Sequence, residues 1–505
     1  MQREIINQVH TASKTSLIND ESVQKTSKFF QLADQLLLKV LQDPNRNLKV
    51  KLDGNGFIKR KFISDAFIEE NYKGEHFERP IIDLVQQGGG MYGIALLGYT
   101  YIMEKVGIRF YSHGGTSAGA INALFLAAIS KNVYTEDSTF NVGGNPHQGS
   151  KSEILTHIIA NTDFSSFMEK NGIIGWLQQK LFKNYKSPWL MGFLFTGAFG
   201  FLLTVYGIFS LVFSVKNGVS GMELRSFDFI IGTLNVGALL IFVYILLNKV
   251  LNVKFGINTG EKFYTWADDL LTSIKINDKK TLQKRMNENK FQDSKPNDKP
   301  RLVLITSNLS HNRIVKFPER AEDYWYNTDN LKPAAFLRAT MSLPFIYKTF
   351  IPGFEHYYDQ TDPLNSVKLK ARFVDGGMLS NFPIREFHRN DGSLPRFPTF
   401  GVLLSKRMEH ETNTTKIKTA KELKNISLIS YIISFFTTFR NFYDNDFLFG
   451  NEEIEQRIVT INTENYNWLD FWMDDNTKEG LFQEGVIAAI EQLEKFNWVA
   501  YKQLR

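Results

Sequence analysis

The chain runs to 505 residues, 43% of them hydrophobic and 22% charged, which is the balance of a globular chain with room for a sizeable core. Lys and Arg outnumber Asp and Glu by 59 to 53, a mild basic excess of +6 that is no nucleic-acid signature and suits an anionic membrane surface better. Cysteine is absent, which excludes disulfides, thiol nucleophiles and thiolate metal sites.

Met1 to Thr26 is polar and mixed in charge, without the basic start and apolar stretch of a secretory signal. From Ser27 to Gln42, Phe29, Phe30, Leu32, Leu36, Leu37, Val40 and Leu41 recur at helical spacing and predict an amphipathic helix. Asn45 to Arg79 reads as polar and irregular. Ile81 to Val85 then reads as a buried parallel strand running up to three glycines, and Ile108 to Tyr111 as a second strand. Ala118 to Ile129, rich in Ala and Leu, predicts a buried helix.

Trp189 to Val215 and Phe229 to Leu247 carry no charge over 27 and 19 residues, lengths that match the ~20 apolar residues of a membrane span. They predict a helical hairpin, and Lys180, Lys183 and Lys186 before it with Lys249, Lys254 and Lys262 after it predict cytoplasmic flanks. The expectation is therefore a multi-pass membrane protein of two spans, with the lipid bilayer as a partner. Lys275 to Arg301 is charge-dense and reads as a loop or short exposed helix. Strands are expected over Arg301 to Ser307, at Phe373 to Val374, over Thr399 to Leu404 and over Ile458 to Ile461. Leu428 to Phe439 is too short to span and reads as a buried or interfacial helix. An amphipathic helix over Gly480 to Phe496 closes the chain, and the alternation of strands with helices predicts an α/β sheet protein.

The chemistry centres on Gly115-Thr116-Ser117-Ala118-Gly119. A serine on a tight strand-to-helix turn needs small neighbours, which Gly115 and Gly119 supply, and the following helix aims its free N–H groups and positive dipole end at the hydroxyl. A second turn, Gly88-Gly89-Gly90 with Gly93, ends the preceding strand and bares backbone donors for a tetrahedral oxyanion or a phosphate. The Gly-Lys-Ser or Gly-Lys-Thr ending of a phosphate loop is missing. No histidine stands out as the base. His113 reads as a turn or packing residue, while Asp375, followed by Gly376 and Gly377, ends a strand and is the better proton acceptor. No group of His and carboxylates has metal-ligand spacing, so no metal or cofactor is expected.

These three motifs, in this order, resemble the patatin-like phospholipases. Arg338-Ala339-Thr340-Met341-Ser342-Leu343-Pro344-Phe345 and Asn381-Phe382-Pro383 are further similarities, and the likeness runs from about Ile81 to Leu404. The resemblance implies a three-layer α/β/α sandwich with a mainly parallel central sheet, interrupted here by the apolar hairpin. It implies a Ser-Asp dyad of Ser117 and Asp375 and an oxyanion hole from Gly88, Gly89 and Gly90; a membrane lipid is the expected substrate, and the mild charge excess leaves no nucleic acid expected as partner. The family's usual Arg or Lys before the last glycine of the first motif is Tyr92 here. The resulting division is a helical or irregular extension over 1–80, catalytic parts over 81–186 and 251–410, the hairpin over 187–250, and a C-terminal catalytic part over 411–505. Hydrolysis of acyl esters is the expected activity, with acyl transfer on the same dyad or a catalytically silent scaffold as alternatives.

Overall fold

The structure is a computed structural model that describes residues 20–43, 49–72, 74–134, 141–142, 145–146, 150–169, 172–183, 237, 244, 255–295, 298–352, 368–388, 393–405, 443–444, 447–448 and 457–503. In chain order its main elements are α1 (Asp20–Gln42), β1 (Phe67–Tyr72), β2 (Glu75–Gln86), α2 (Gly93–Lys105), β3 (Arg109–Thr116), α3 (Ala118–Ala128) and α4 (Lys151–Asn161). Then follow α5 (Glu261–Ser273), α6 (Lys279–Met286), β4 (Leu302–Asn308), β5 (Arg313–Phe317), α7 (Pro333–Thr340), β6 (Phe373–Asp375), β7 (Thr399–Ser405), β8 (Ile458–Asn462) and α8 (Asp475–Lys495).

Eight strands form one sheet in the order β6-β4-β3-β2-β7-β8, with β1 paired to β2 and β5 to β4. The four inner pairings from β4 to β8 are parallel, while β6, β5 and β1 are antiparallel additions. A parallel sheet is covered on both faces, and successive residues here do go to opposite cores. Leu84 and Leu304 join the large cluster with α2, α3 and α8, whereas Val85, Val303 and Ile305 join Phe382, Ile384 and Phe387 on the other side. This is the expected mixed α/β architecture with a mainly parallel central sheet.

Within the large cluster α2 lies against α8 with backbones nearly touching. A Cβ on Gly98 would overlap the Phe482 carbonyl, and one on Gly485 would overlap that of Ala95. Asp474 caps α8 by accepting from the Thr477 N–H at 2.8 Å, so the helix begins five residues before the apolar pattern does. Asp278 and Thr281 form a capping box that makes α6 a helix inside the charge-dense stretch. Residues 67–79, expected to be irregular, are a hairpin whose charged, alternating strands pair from Phe67↔Pro80 to Tyr72↔Glu75.

The chain divides into two compact units. The sheet and its helices belong to the first, Met1–Phe167, Gly260–Leu343 and Thr349–Arg505. The second unit, Met168–Thr259 with Pro344–Lys348, contains a helix, Gly172–Lys183, and a parallel pair, Gly256–Asn258 with Phe345–Tyr347. In it Asn258 donates to the Ile346 carbonyl at 3.1 Å and accepts from the Glu169 N–H at 2.9 Å.

The two-span membrane topology with cytoplasmic flanks is corrected: among the described residues no helix is long and apolar enough to cross a membrane. A charge-free run meets the length of a span without establishing one continuous apolar helix. Residues 189–215 and 229–247 lie outside the described residues except Gly237 and Tyr244, which are helical, Tyr244 being exposed. The helix expected over 428–439 also lies outside them.

Candidate active site

The C-terminal ends of β2, β3 and β4 gather the motif residues. Pairing places Gln86 beside Gly115, Thr116 beside Ile305, and Thr306 beside Asp375. Gly88 follows β2, Ser117 follows β3, and Asp375 ends β6 one strand beyond β4, so the serine and aspartate strands are about 10 Å apart at ~4.8 Å per strand.

Ser117 has φ 52° and ψ −121°, a conformation that a non-glycine residue holds only under constraint. The constraints are explicit. Its N–H donates to Thr340 Oγ1 at 3.1 Å, and Thr340 in turn donates to the Ile305 carbonyl. Its carbonyl accepts from the Ala120 and Ile121 N–H groups, opening α3. A Cβ at Gly115 would strike the Gly119 carbonyl, and one at Gly119 the Gln86 carbonyl, so the turn closes only with glycine at both places. Ser117 is 8% exposed, and its hydroxyl rests 3.4 Å from Met341 Sδ rather than in a hydrogen bond to Asp375.

Asp375 is buried and its Oδ1 accepts from the Gly377 N–H at 2.7 Å. Its own N–H donates to the Ser342 carbonyl at 2.9 Å, and the Ser342 hydroxyl accepts from the buried Arg338 at 2.6 Å. Gly376 lets the Asp-Gly-Gly turn sit against β4 and the elbow: a Cβ there would overlap the Ile305 carbonyl and press Thr116 Cγ2 at 2.9 Å. Thr116 donates to the Ser380 carbonyl at 3.2 Å and Ser307 to that of Gly376 at 3.2 Å. The aspartate turn and the serine elbow are thus stitched together through β4.

Of the three glycines in the first turn, Gly88 is already engaged, donating to the Asn381 carbonyl at 3.1 Å while its own carbonyl accepts from Asn381 Nδ2 at 2.9 Å. A Cβ on Gly88 would lie 3.1 Å from Ser117 Cβ, so this turn abuts the elbow. The N–H groups of Gly89, Gly90 and Ala118 find no acceptor among the described residues. Gly90 has φ +54° and packs on the Trp468 carbonyl, and Gly93 stands against Ala118. Tyr92, in place of the family's basic residue, donates its hydroxyl to the Tyr466 carbonyl at 2.7 Å and so ties the turn to the C-terminal segment.

His113 is in the middle of β3, fully buried, with neither ring nitrogen hydrogen-bonded. Burial first, and the charge of Lys151 second, push its pKa down to about 3. A neutral, enclosed imidazole of this kind is packing. Asp444 was not foreseen, because no motif surrounds it. Its Oδ1 accepts from Ser380 at 2.6 Å, and its Oδ2 from the N–H groups of Asn381 and Phe382 at 2.6 and 2.8 Å, fixing the segment that grips Gly88. Thr340 stood inside the small-residue block, but its anchoring of the Ser117 N–H is a contact between distant residues that sequence does not display.

A mainly parallel sheet with a strained serine at a strand-to-helix elbow and glycine turns on the neighbouring strand defines a hydrolase-type α/β site. The family described as patatin-like phospholipase matches residues 84–388, well over half of the chain, and the chain belongs to that family. Membership supports a lipid acyl-hydrolase activity, and lipid as the substrate class, at the level of the family. The chain is also 22% identical over 409 residues to the uncharacterized protein YqhO of Bacillus subtilis strain 168, covering 80% of this chain and 95% of that protein. The crystal structure of VipD from Legionella pneumophila aligns with a TM-score of 0.34 and 13% identity, over 92% of this chain and 72% of that one.

Proposed function

We propose that this chain hydrolyses acyl esters of lipids through a Ser-Asp dyad of Ser117 and Asp375. The observation that carries the reading is the elbow itself: Ser117 is held at φ 52° by Thr340 and by two glycines that admit no side chain, beside a turn that presents Asp375. Strain of this kind is kept where a function uses it.

In this mechanism Ser117 Oγ turns from Met341 and attacks the ester carbonyl carbon, and its proton passes to Asp375. The carboxylate is oriented by the Gly377 N–H, which donates to its Oδ1. The tetrahedral oxyanion is met by the Gly89, Gly90 and Ala118 N–H groups, reinforced by the N-terminus of α3, while Gly88 and Asn381 hold the loop in place. Collapse breaks the ester C–O bond, and the leaving alkoxide regains the proton from Asp375. An acyl-enzyme remains on Ser117; water deprotonated by Asp375 attacks its acyl carbon, the acyl C–O bond breaks, and the proton passes from Asp375 to Ser117 Oγ as the fatty acid leaves. A carboxylate of reference pKa about 3.9 is a weak base toward a hydroxyl, so the rate depends on preorganised donors in a site with little water.

The test is labelling by a fluorophosphonate probe together with fatty-acid release from dispersed phospholipid. Wild type is expected to label and to release fatty acid, and Ser117→Ala to do neither. An intact protein that takes up no probe and releases no fatty acid from a panel of lipid esters makes the chain a silent scaffold.

A further inference from the structure

A second constellation lies at the other end of the sheet, where β3 begins. Arg109 opens that strand and Thr116 closes it, so at ~3.3 Å per residue the two ends are about 23 Å apart. Arg109 pairs with Glu70 through two bonds, Nε to Oε1 at 2.7 Å and Nη2 to Oε2 at 2.8 Å, and Arg79 Nε adds a third at 3.3 Å. Glu104 accepts from the Tyr134 hydroxyl and, at 2.7 Å, from the Ser152 N–H. All of these side chains are buried.

Among the fully buried side chains Lys151 is a third cation, 4% exposed, beside Glu70 and Glu104, with the less buried Asp53 acting on Arg79 and Glu288 on Lys151. It is also the first residue of α4, where the helix dipole is itself positive and an anion is preferred. Its Nζ donates to the Leu126 carbonyl at 3.0 Å, and among the described residues its other two protons meet no acceptor. Burial, opposed by Glu104 and Glu288 and aided by Arg285 and Arg109, brings the amine down to about 8. A buried ammonium with free protons is costly unless an acceptor offsets it.

A cavity of about 590 Å³ opens on the same groups. Lys151, Arg109 and the buried Asn289 line it, with Lys131 and His76 at its exposed rim and Glu69 and the already paired Glu70 along one wall. The Asn289 side-chain amide makes no hydrogen bond among the described residues, and Asn289 and Lys151 both line this space. We propose that this cavity is a binding site for a phosphate monoester, whose oxygens accept from Lys151 and Asn289 and whose charge offsets the excess of buried cations. The site is separate from Ser117 and independent of the reaction assigned to it. It still touches the elbow helix, because Lys151 grips the last turn of α3 through Leu126.

The experiment is thermal unfolding of the full chain titrated with inorganic phosphate at ionic strength held constant by NaCl, and in parallel flotation with phosphatidylcholine vesicles with and without phosphatidic acid. The expected result is a saturable rise in Tm of several degrees with phosphate, as a ligand selective for the folded state produces. Lys151→Met is expected to weaken binding at least tenfold, and Lys131→Ala, at an exposed position that leaves folding intact, about threefold. Phosphate-dependent stabilisation assigns the site to soluble phosphate monoesters. Flotation that requires phosphatidic acid and is lost in Lys131→Ala assigns it to a lipid headgroup of the same chemistry. No saturable response to either probe, or an equal response in wild type and Lys131→Ala, overturns the proposal.

Discussion

In the proposed mechanism Ser117 and Asp375 divide one task between an activated position and an activated environment. The serine gains nothing from a base in the resting site, where its hydroxyl touches Met341 Sδ. The proposed mechanism therefore has substrate entry complete the dyad, as hydrogen bonds of resting sites commonly tighten only with substrate bound. Asp375→Asn can keep the Gly377 N–H bond through its amide oxygen and removes the proposed proton acceptor. It is expected to lower kcat for ester hydrolysis by about 10²–10⁴ with KM little changed. His113→Gln is expected to stay within about threefold of wild type. Steady-state kinetics on a soluble ester compares the two, and a His113→Gln variant as dead as Asp375→Asn would return the base to histidine.

At the scale of elements, the site depends on a few places where backbone meets backbone or a side chain bridges strands. Thr340, on the last turn of α7, accepts from Ser117 and donates to β4, so it pins the elbow to the sheet. Thr340→Val keeps the shape and strands the Ser117 N–H, an unpaired buried donor that costs about 1–3 kcal/mol. Probe labelling should slow, and the urea midpoint should fall accordingly. An unchanged midpoint with an unchanged labelling rate removes Thr340 from the account. At the α2–α8 crossing, Gly485→Val would drive a side chain into the Ala95 carbonyl, and loss of cooperative unfolding in circular dichroism is the expected outcome.

These elements also show what the sequence displays and what it hides. Glycine turns, the central parallel strands, α3 and the Asp-Gly-Gly turn were legible because each is a local pattern whose reason is local. The hairpin of β1 with β2 was not, because its charged alternation has the look of a loop until the partner strand is in view. Asp444 was hidden for a stronger reason: its three bonds to residues 380–382 join segments some sixty positions apart, and nothing near it marks the role. The apolar runs over 189–215 and 229–247 match a span in length, whereas no helix among the described residues is long and apolar enough to cross a membrane.

Taken as one molecule, the sheet carries a strained serine elbow at one end and a buried charge cluster at the other, with His113 on the strand between them. His113 is held neutral by burial and, second, by Lys151, its pKa lowered to about 3 from 6.5. The unfolded chain takes up a proton on this residue below pH 6.5 and the folded one does not until about 3, so the unfolded state gains relative stability as pH falls through that window. The contribution is complete above pH 6.5 and shrinks by about 1.4 kcal/mol for each unit below it, until the folded residue also titrates. Other carboxylates titrate in the same range, so the residue is isolated by difference. His113→Leu removes the titration and two unpaired ring nitrogens from a buried strand position. Urea unfolding from pH 7 to 4.5 should show the wild type losing about 3 kcal/mol more than the variant over the two units below 6.5. Parallel pH profiles for the two proteins would mean that the imidazole is protonated in the folded state, and the picture of a sealed strand between the two sites would fail with it.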